Sequence, residues 1–265
     1  METGGLDNAE YWLPIGSLEP GFNEYKPEPS AELAGKELTF YLEKDNGVVK
    51  YMFYDVSSLT WEVLDGPQIG ATDGESYEAI LVGPGIYFID FIKQSQPEQS
   101  VNIALDLNTM RATFLIGTLV QEAKSTYRVK QEFLHAAINP PSPGKPIALH
   151  ERTTDLVGKR VLYTYSSQHR YEHIYLNDHR YTWHCLAGPE KGLADTEHMD
   201  YFKIADDIYL ISWWEKVVPC QGVVMTNYKL MRSFGKLFGL DTETGKIINF
   251  TMASYAKILT VTKYE

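Results

Sequence analysis

The amino-acid sequence predicts an all-β protein made of two tandem antiparallel barrels, and three observations carry that reading: an internal repeat, apolar alternation of period two, and turn chemistry between short runs. The repeat is visible by eye. Gly35-Lys36 recurs as Gly158-Lys159, Trp61 as Trp183, Gly66-Pro67 as Gly188-Pro189, and Gly70 with Asp73 as Gly192 with Asp195. Ile86-Tyr87 recurs as Ile208-Tyr209, Met110-Arg111 as Met231-Arg232, and Gly117 as Gly239. The spacing drifts only from 123 residues at the start to 121 near the end, which is the mark of a duplication with single-residue insertions and deletions.

Within each copy the apolar residues alternate, as in Leu38, Phe40 and Leu42 or Val101, Ile103, Leu105 and Leu107. Such alternation marks strands with one face buried. Turn residues separate the runs, in Asp45-Asn46-Gly47, Asp65-Gly66-Pro67, Gly83-Pro84-Gly85, Asn177-Asp178 and Thr244-Gly245. Residues 121–138 are ambiguous between helix and strand, and the repeat assigns them as strand by matching them to 245–259. Short strands without an amphipathic helix are best closed into an up-and-down barrel, which leaves no unpaired edge.

The copies are assigned to residues 31–139 and 151–265. Between them, residues 140–150 form a Pro-rich linker; four prolines within 139–146 can continue neither a ladder nor a helix. Residues 1–30 belong to neither copy and are expected to form a strap, with Trp12, Leu13, Phe22 and Tyr25 packed on a barrel mouth.

Composition narrows the function classes. A net charge of −11 without a basic stripe argues against nucleic acid and anionic lipid as partners. Residues 1–11 lack the basic start and apolar run of a secretory signal, and no apolar stretch approaches the roughly 18 residues of a membrane helix. The expectation is a cytoplasmic protein without a membrane partner. Cys185 and Cys220 are read as buried free thiols, being too few for a disulfide framework or a complete zinc site.

Barrels of about eight strands hold one small ligand, so polar residues pointing inward are the candidates for chemistry. Tyr163 and Tyr165 lie two apart and share a face. Glu215 follows Ser212-Trp213-Trp214, where aromatic surroundings would raise its pKa and suit it to proton transfer. Five of the 7 histidines, His169, His173, His179, His184 and His198, fall in the second copy. The first copy is an internal control: it has Phe40 and Leu42 in place of the tyrosines and Lys93 in place of Glu215. The same tyrosines read equally as barrel lining, and Glu215 as an outward ion-pair partner. Glu172, His173, His184, Glu197 and His198 are metal-capable residues, but their spacing matches no familiar ligand set, so no metal is expected. His169 and His179 sit in turn-like sequence and are expected to be solvated.

Tyr163-Thr164-Tyr165, Tyr171-Glu172, Asn177-Asp178-His179 and Ser212-Trp213 with Glu215 resemble the phenolic acid decarboxylases, cofactor-free enzymes on a lipocalin-like (calycin) barrel. That resemblance implies that Tyr163 and Tyr165 bind a substrate carboxylate and that Glu215 protonates the substrate carbon. The arginine that serves the carboxylate in that family falls at or beside Leu193, with His184, His198 or Arg170 as substitutes. The duplicated architecture with its N-terminal strap resembles the MoaF family of tandem N- and C-terminal barrels. The sequence holds neither a phosphate-binding loop nor an iron–sulfur cysteine set.

The leading expectation is a cofactor-independent lyase or isomerase. It would act by proton transfer, as decarboxylation, isomerisation or cyclisation, on a small aromatic or unsaturated apolar metabolite in the C-terminal barrel. Glu215, Tyr163, Tyr165 and His184 are its catalytic candidates; Tyr175, Trp183, Leu193, His198, Trp213 and Arg232 its substrate-binding candidates. The alternative is a non-catalytic carrier of a hydrophobic or phenolic small molecule. A third reading makes the first barrel a structural or dimerisation partner only, with a homodimer as the assembly it would allow.

Overall fold

The computed structural model describes residues 12–43, 47–123, 126–139 and 149–264; residues 140–148 of the Pro-rich segment and residues 1–11 lie outside them. The first copy supplies β1 (Glu37–Leu42), β2 (Val48–Phe53), β3 (Ser58–Asp65), β4 (Thr72–Gly83), β5 (Ile86–Ile92), β6 (Gln99–Asp106), β7 (Arg111–Ala123) and β8 (Thr126–Ile138). These strands pair in sequence order, and β8 returns to β1, with Phe40 opposite Ile138, to close the barrel. Most of residues 121–138 is therefore strand, as the repeat required.

A two-residue strand, β9 (Glu151–Arg152), precedes the second copy. That copy follows as β10 (Lys159–Thr164), β11 (Arg170–Tyr175), β12 (Arg180–Ala187), β13 (Ala194–Ala205), β14 (Ile208–Trp214), β15 (Cys220–Asn227), β16 (Arg232–Asp241) and β17 (Lys246–Val261). The β10–β17 pairing closes this barrel in the same up-and-down order, with β9 added on the outside of β13. No helix of the described residues is long and apolar enough to cross a membrane.

The repeated residues mark turns of identical geometry. Met110 and Met231 both take left-handed backbone at equivalent hairpins, φ 56° and 51°, a conformation costing an L-residue about 1–2 kcal/mol. Gly158 has φ 83°, and a Cβ on it would meet the Thr262 carbonyl oxygen at 2.0 Å, so the turn into β10 admits only glycine. The Gly117–Gly239 match does not survive the pairing register. Gly117 faces Ser100 on β6, whereas the residue facing the equivalent Gln221 is Phe238.

Alternation is lost along β5 and β14, each buried over its first six residues. Both faces are covered: one lines the barrel, the other meets the neighbouring barrel. Ile80, Phe88, Ala104 and Leu115 of the first outer wall pack on Phe202, Leu210, Val223, Met225, Phe234 and Ala253 of the second. Within this apolar seam the fully buried Lys236 makes a 2.7 Å ion pair with Asp90 and donates to Ser100 Oγ at 2.6 Å. Asn102 and Asn249 donate to the two oxygens of Asp90, each at 2.8 Å. Gln131 of β8 donates to the backbone oxygen of Trp213 at 3.0 Å, which ties the first barrel to the strand carrying the candidate site.

Candidate functional site

Strand alternation selects which side chains enter the C-terminal barrel. From β11 come Tyr171, His173 and Tyr175; from β12, Tyr181, Trp183 and Cys185; from β14, Tyr209, Ile211 and Trp213; all are buried in one core. Residues 12–26 do not cover the barrel that follows them. Trp12, Leu18 and Phe22 close the mouth of the second barrel instead, with Phe22 against Tyr165 at 4.7 Å and Trp12 against Trp183 at 5.4 Å between ring centroids. Leu13 packs on the same core, while Tyr25 lies against Tyr255.

Under this strap lies a cavity of about 60 Å³ whose walls include Tyr165, Tyr171, His173, Tyr181, Trp183, Trp213, Glu190, Glu215 and Cys220. Gly222 makes room for it: a Cβ there would stand 2.1 Å from the Trp213 ring, and the first copy has Val101 opposite Phe91 at the same place. The indole N–H of Trp213 donates to Glu215 Oε1 at 2.6 Å and fixes the carboxyl. Glu197 of β13 is buried behind it, with one oxygen lacking any hydrogen-bond partner. Burial raises the pKa of both carboxyls. The charge of Glu215 raises Glu197 further, and the charges of Glu190 and Asp195 add to the rise at Glu215. The pair therefore retains a proton well above the usual carboxylate range. Glu190, also raised by burial, accepts from Tyr171 at 2.8 Å. Burial holds His173 neutral, its pKa pushed down to about 3. The Trp183 indole nitrogen is buried on the cavity wall without a partner.

The sequence-derived candidates divide. Glu215, Tyr165, Trp183 and Trp213 meet at the cavity. Tyr163 and Tyr175 do not: one sits two residues deeper along its strand, and both join a closed tyrosine cluster. There the Tyr163 hydroxyl lies 2.9 Å from that of Tyr175 and 2.9 Å from that of Tyr228. The His173 ring packs on Tyr163 at 4.7 Å and on Trp213 at 5.9 Å, as a layer between cluster and cavity. Leu193 packs against the core from the β12–β13 loop without lining the cavity. His184 and His198 neighbour the inward Trp183 and Glu197, so alternation turns them outward. His184 lies 3.9 Å from Glu172 on the outer wall, and His198 stacks on Trp214 at 4.0 Å. Arg232 is also outside, over the Tyr255 ring and donating to the Tyr25 carbonyl at 2.6 Å. Arg170 is exposed and Arg160 is paired with Glu172, so neither stands in for the missing arginine.

His169 is not solvated. It is 8% exposed, bonded to Ser166 Oγ at 2.9 Å and covered by Phe22, whereas His179 lies on the surface. The ligand atoms of His179, His198 and Asp200 lie close enough to share an ion. Arg152 pairs with Asp200 and Arg180 contacts His198, however, and two cations against the cluster disfavour a dication there.

Sequence reasoning missed Glu190, Tyr181 and the cover supplied by Leu18, and weighed Glu197 only as a metal ligand. The duplication held the signal for the acids: Glu190 replaces Gln68 beside the repeated Gly-Pro, and Glu197 matches Glu75. The first barrel also opens on a cavity, of about 300 Å³, lined by Tyr51, Trp61, Phe114, Gln68 and Lys93.

Among known families, a profile described as "MoaF N-terminal domain" matches residues 10–121 and one described as "MoaF C-terminal domain" matches 150–262. "Protein MoaF" of Klebsiella aerogenes is 33% identical over 275 residues, covering 98% of this chain and 100% of that protein. A solved structure named "Crystal Structure of a putative beta-lactamase from Burkholderia vietnamiensis" aligns with 43% of this chain and 98% of its own, at 18% identity and a TM-score of 0.34.

Proposed function

The chain belongs to the MoaF family, and from that premise we propose that its C-terminal barrel encloses a small aromatic or unsaturated molecule and transfers protons to or from it through Glu215. The observation that carries this reading is the proton-retaining Glu215–Glu197 pair at the wall of an aromatic cavity, Glu197 buried and the half-buried Glu215 pinned by Trp213. A carboxyl whose pKa is lifted by burial donates and recovers a proton near neutral pH, where an ordinary one stays ionised.

Tyr165 and the unpartnered Trp183 N–H serve the polar end of the ligand. Tyr163 is committed to its tyrosine cluster, and Leu193 occupies the arginine position, so no clamp for a carboxylate remains. The geometry therefore serves isomerisation or cyclisation better than decarboxylation. The cavity of about 60 Å³ is smaller than the roughly 150 Å³ that admits benzene. A one-ring ligand enters by moving the strap of Trp12, Leu18 and Phe22.

Proton transfer is measurable without knowing the product. Arylalkenes, phenols and enolisable aryl ketones are incubated with the protein in deuterated buffer, and deuterium incorporation is followed by mass spectrometry. The native chain is expected to exchange at least one of them, and Glu215→Gln to lose about 10²- to 10⁴-fold in rate with its fold intact. Undiminished exchange in Glu215→Gln removes the carboxyl from the mechanism. The carrier reading has its own support in the strap, whose Trp12, Leu18 and Phe22 lie over the mouth as a cover for a stored ligand would. Saturable binding with every ligand recovered undeuterated selects it.

A further inference from the structure

We propose that the ligand of the C-terminal cavity is an aromatic or arylalkyl amine bound as its ammonium ion, seated between Glu190 and Glu215 with its ring against Trp183, Tyr181 and Phe22. This deepens the reading of that barrel as a ligand chamber and rests on it.

The charge balance of the walls comes first. Glu190 and Glu215 line the cavity, Glu197 stands behind, and no lysine or arginine is among the lining residues. Lys216 does not line the cavity; it is bonded to Asp195 at 2.7 Å and stands 4.0 Å from Glu197, and His173 is neutral. A carboxylate ligand would be buried here without a counter-charge, whereas a cation would relieve a repulsion already present.

Hydrogen-bond capacity points the same way. Tyr171 occupies one oxygen of Glu190, and Trp213 one oxygen of Glu215. The second oxygen of each remains an acceptor, and one buried oxygen of Glu197, a residue 1% exposed, makes no hydrogen bond, with the Lys216 ammonium 4.0 Å away. An ammonium group brings three donors and no acceptor, which is the complement of that set. The surrounding ring faces add cation–π attraction. The first barrel lacks the arrangement, since Gln68 and Lys93 stand where Glu190 and Glu215 stand in the second.

Binding would be coupled to pH by these carboxyls alone. Tyr165 just after β10, Tyr171 and His173 of β11, Tyr181 of β12 and Cys220 of β15 also face the site, and burial holds each of them neutral. Asp195 is bonded to Lys216. Leu237 of β16, Met252 of β17 and the strap residues Trp12, Leu18 and Phe22 present no titrating group. Affinity for an ammonium ion should rise with pH as the Glu215–Glu197 pair gives up its proton, and protons should be released on binding.

The test compares benzylamine, benzyl alcohol and benzoate by isothermal titration calorimetry at pH 8, in two buffers of different ionisation enthalpy. Benzylamine is expected to bind at least about tenfold tighter than the alcohol, with proton release, and benzoate to bind least. Glu190→Gln and Glu215→Gln should each reduce that preference of amine over alcohol. If a variant fails to fold, the native chain decides alone, by a preference that shrinks from pH 8 to pH 5. Equal binding of amine and alcohol overturns the amine and leaves the chamber standing. Absence of saturable binding by all three at millimolar concentration overturns both.

Discussion

The two barrels place the same pair of residues at the same positions and bond the tryptophan of the pair differently. In the first, the Trp61 indole donates to Glu75 Oε1 at 3.0 Å, the other Glu75 oxygen accepts from the Gln94 backbone at 2.8 Å, and the Lys93 ammonium lies 5.3 Å from the Trp61 ring centre. In the second, the Lys216 backbone still donates to Glu197, at 3.4 Å, and its ammonium stands 4.0 Å from the other oxygen, but the matching Trp183 nitrogen is buried without a hydrogen bond and that Glu197 oxygen makes none. Lys93 has become Glu215 and Gln68 has become Glu190, so a compensated network has turned into a crowd of acids. Buried polar groups are normally satisfied, and a copy that leaves them open beside a satisfied sister copy holds them open for something else. Duplication thus supplies the control that a single domain lacks.

The largest stability effect is expected at the seam, where the copies have diverged into complementary partners. Asp90, Ser100 and Asn102 come from the first wall, Lys236 and Asn249 from the second, and Leu115 occupies the first-copy position of Lys236. Lys236→Ala leaves the Asp90 carboxylate buried without its cation and should cost about 3–5 kcal/mol in urea-induced unfolding. Lys236→Met combined with Asp90→Asn should recover most of that loss, because neither charge is then stranded. A single substitution costing less than about 1 kcal/mol would mean that the barrels do not rely on each other through this pair.

Next in size is the contrast between the two Trp–Glu positions. Glu75→Leu strands the Trp61 and Gln94 N–H groups and should cost about 1–3 kcal/mol. Glu197→Leu strands only the Lys216 backbone N–H, a long bond of 3.4 Å at an exposed residue, since Trp183 is already without a hydrogen bond, and it removes a buried acid; chemical denaturation should find it neutral or stabilising. Equal costs would show that the difference between the networks is geometrical and not energetic.

The architecture was readable because duplication repeats the residues a turn cannot do without, such as Gly158 and the two left-handed methionines. The site was readable in part. Period two put Tyr165, Trp183, Trp213 and Glu215 on the inner wall, and the same rule, applied strand by strand, excludes His184, His198 and Arg232. Depth was not readable. Tyr163 and Tyr165 share a face but stand roughly 6.6 Å apart along the strand, enough to send one to the tyrosine cluster and the other to the mouth. The burial of His169 depends on Phe22 of the strap, 147 residues earlier in the chain (169 − 22), a contact that no local pattern encodes. The outer face of β14 reads as solvent-facing until the other barrel is set against it.

The smallest effect concerns pH and separates the copies most finely. Glu197 and Glu215 have folded-state pKa values raised above those of the unfolded chain, by burial and by the neighbouring acids. The folded protein therefore binds more protons than the unfolded one between the unfolded and folded values. The associated stability is fully present below the unfolded carboxylate range and is lost as pH rises through the folded values. Glu197→Gln removes that dependence. Its melting temperature should match the native chain near pH 5 and exceed it by a few degrees near pH 9, read by calorimetry across the interval. Parallel curves for the two proteins would mean that the acids of the second barrel are no more strained than Glu75 in the first, and the contrast between the copies would reduce to a difference of shape.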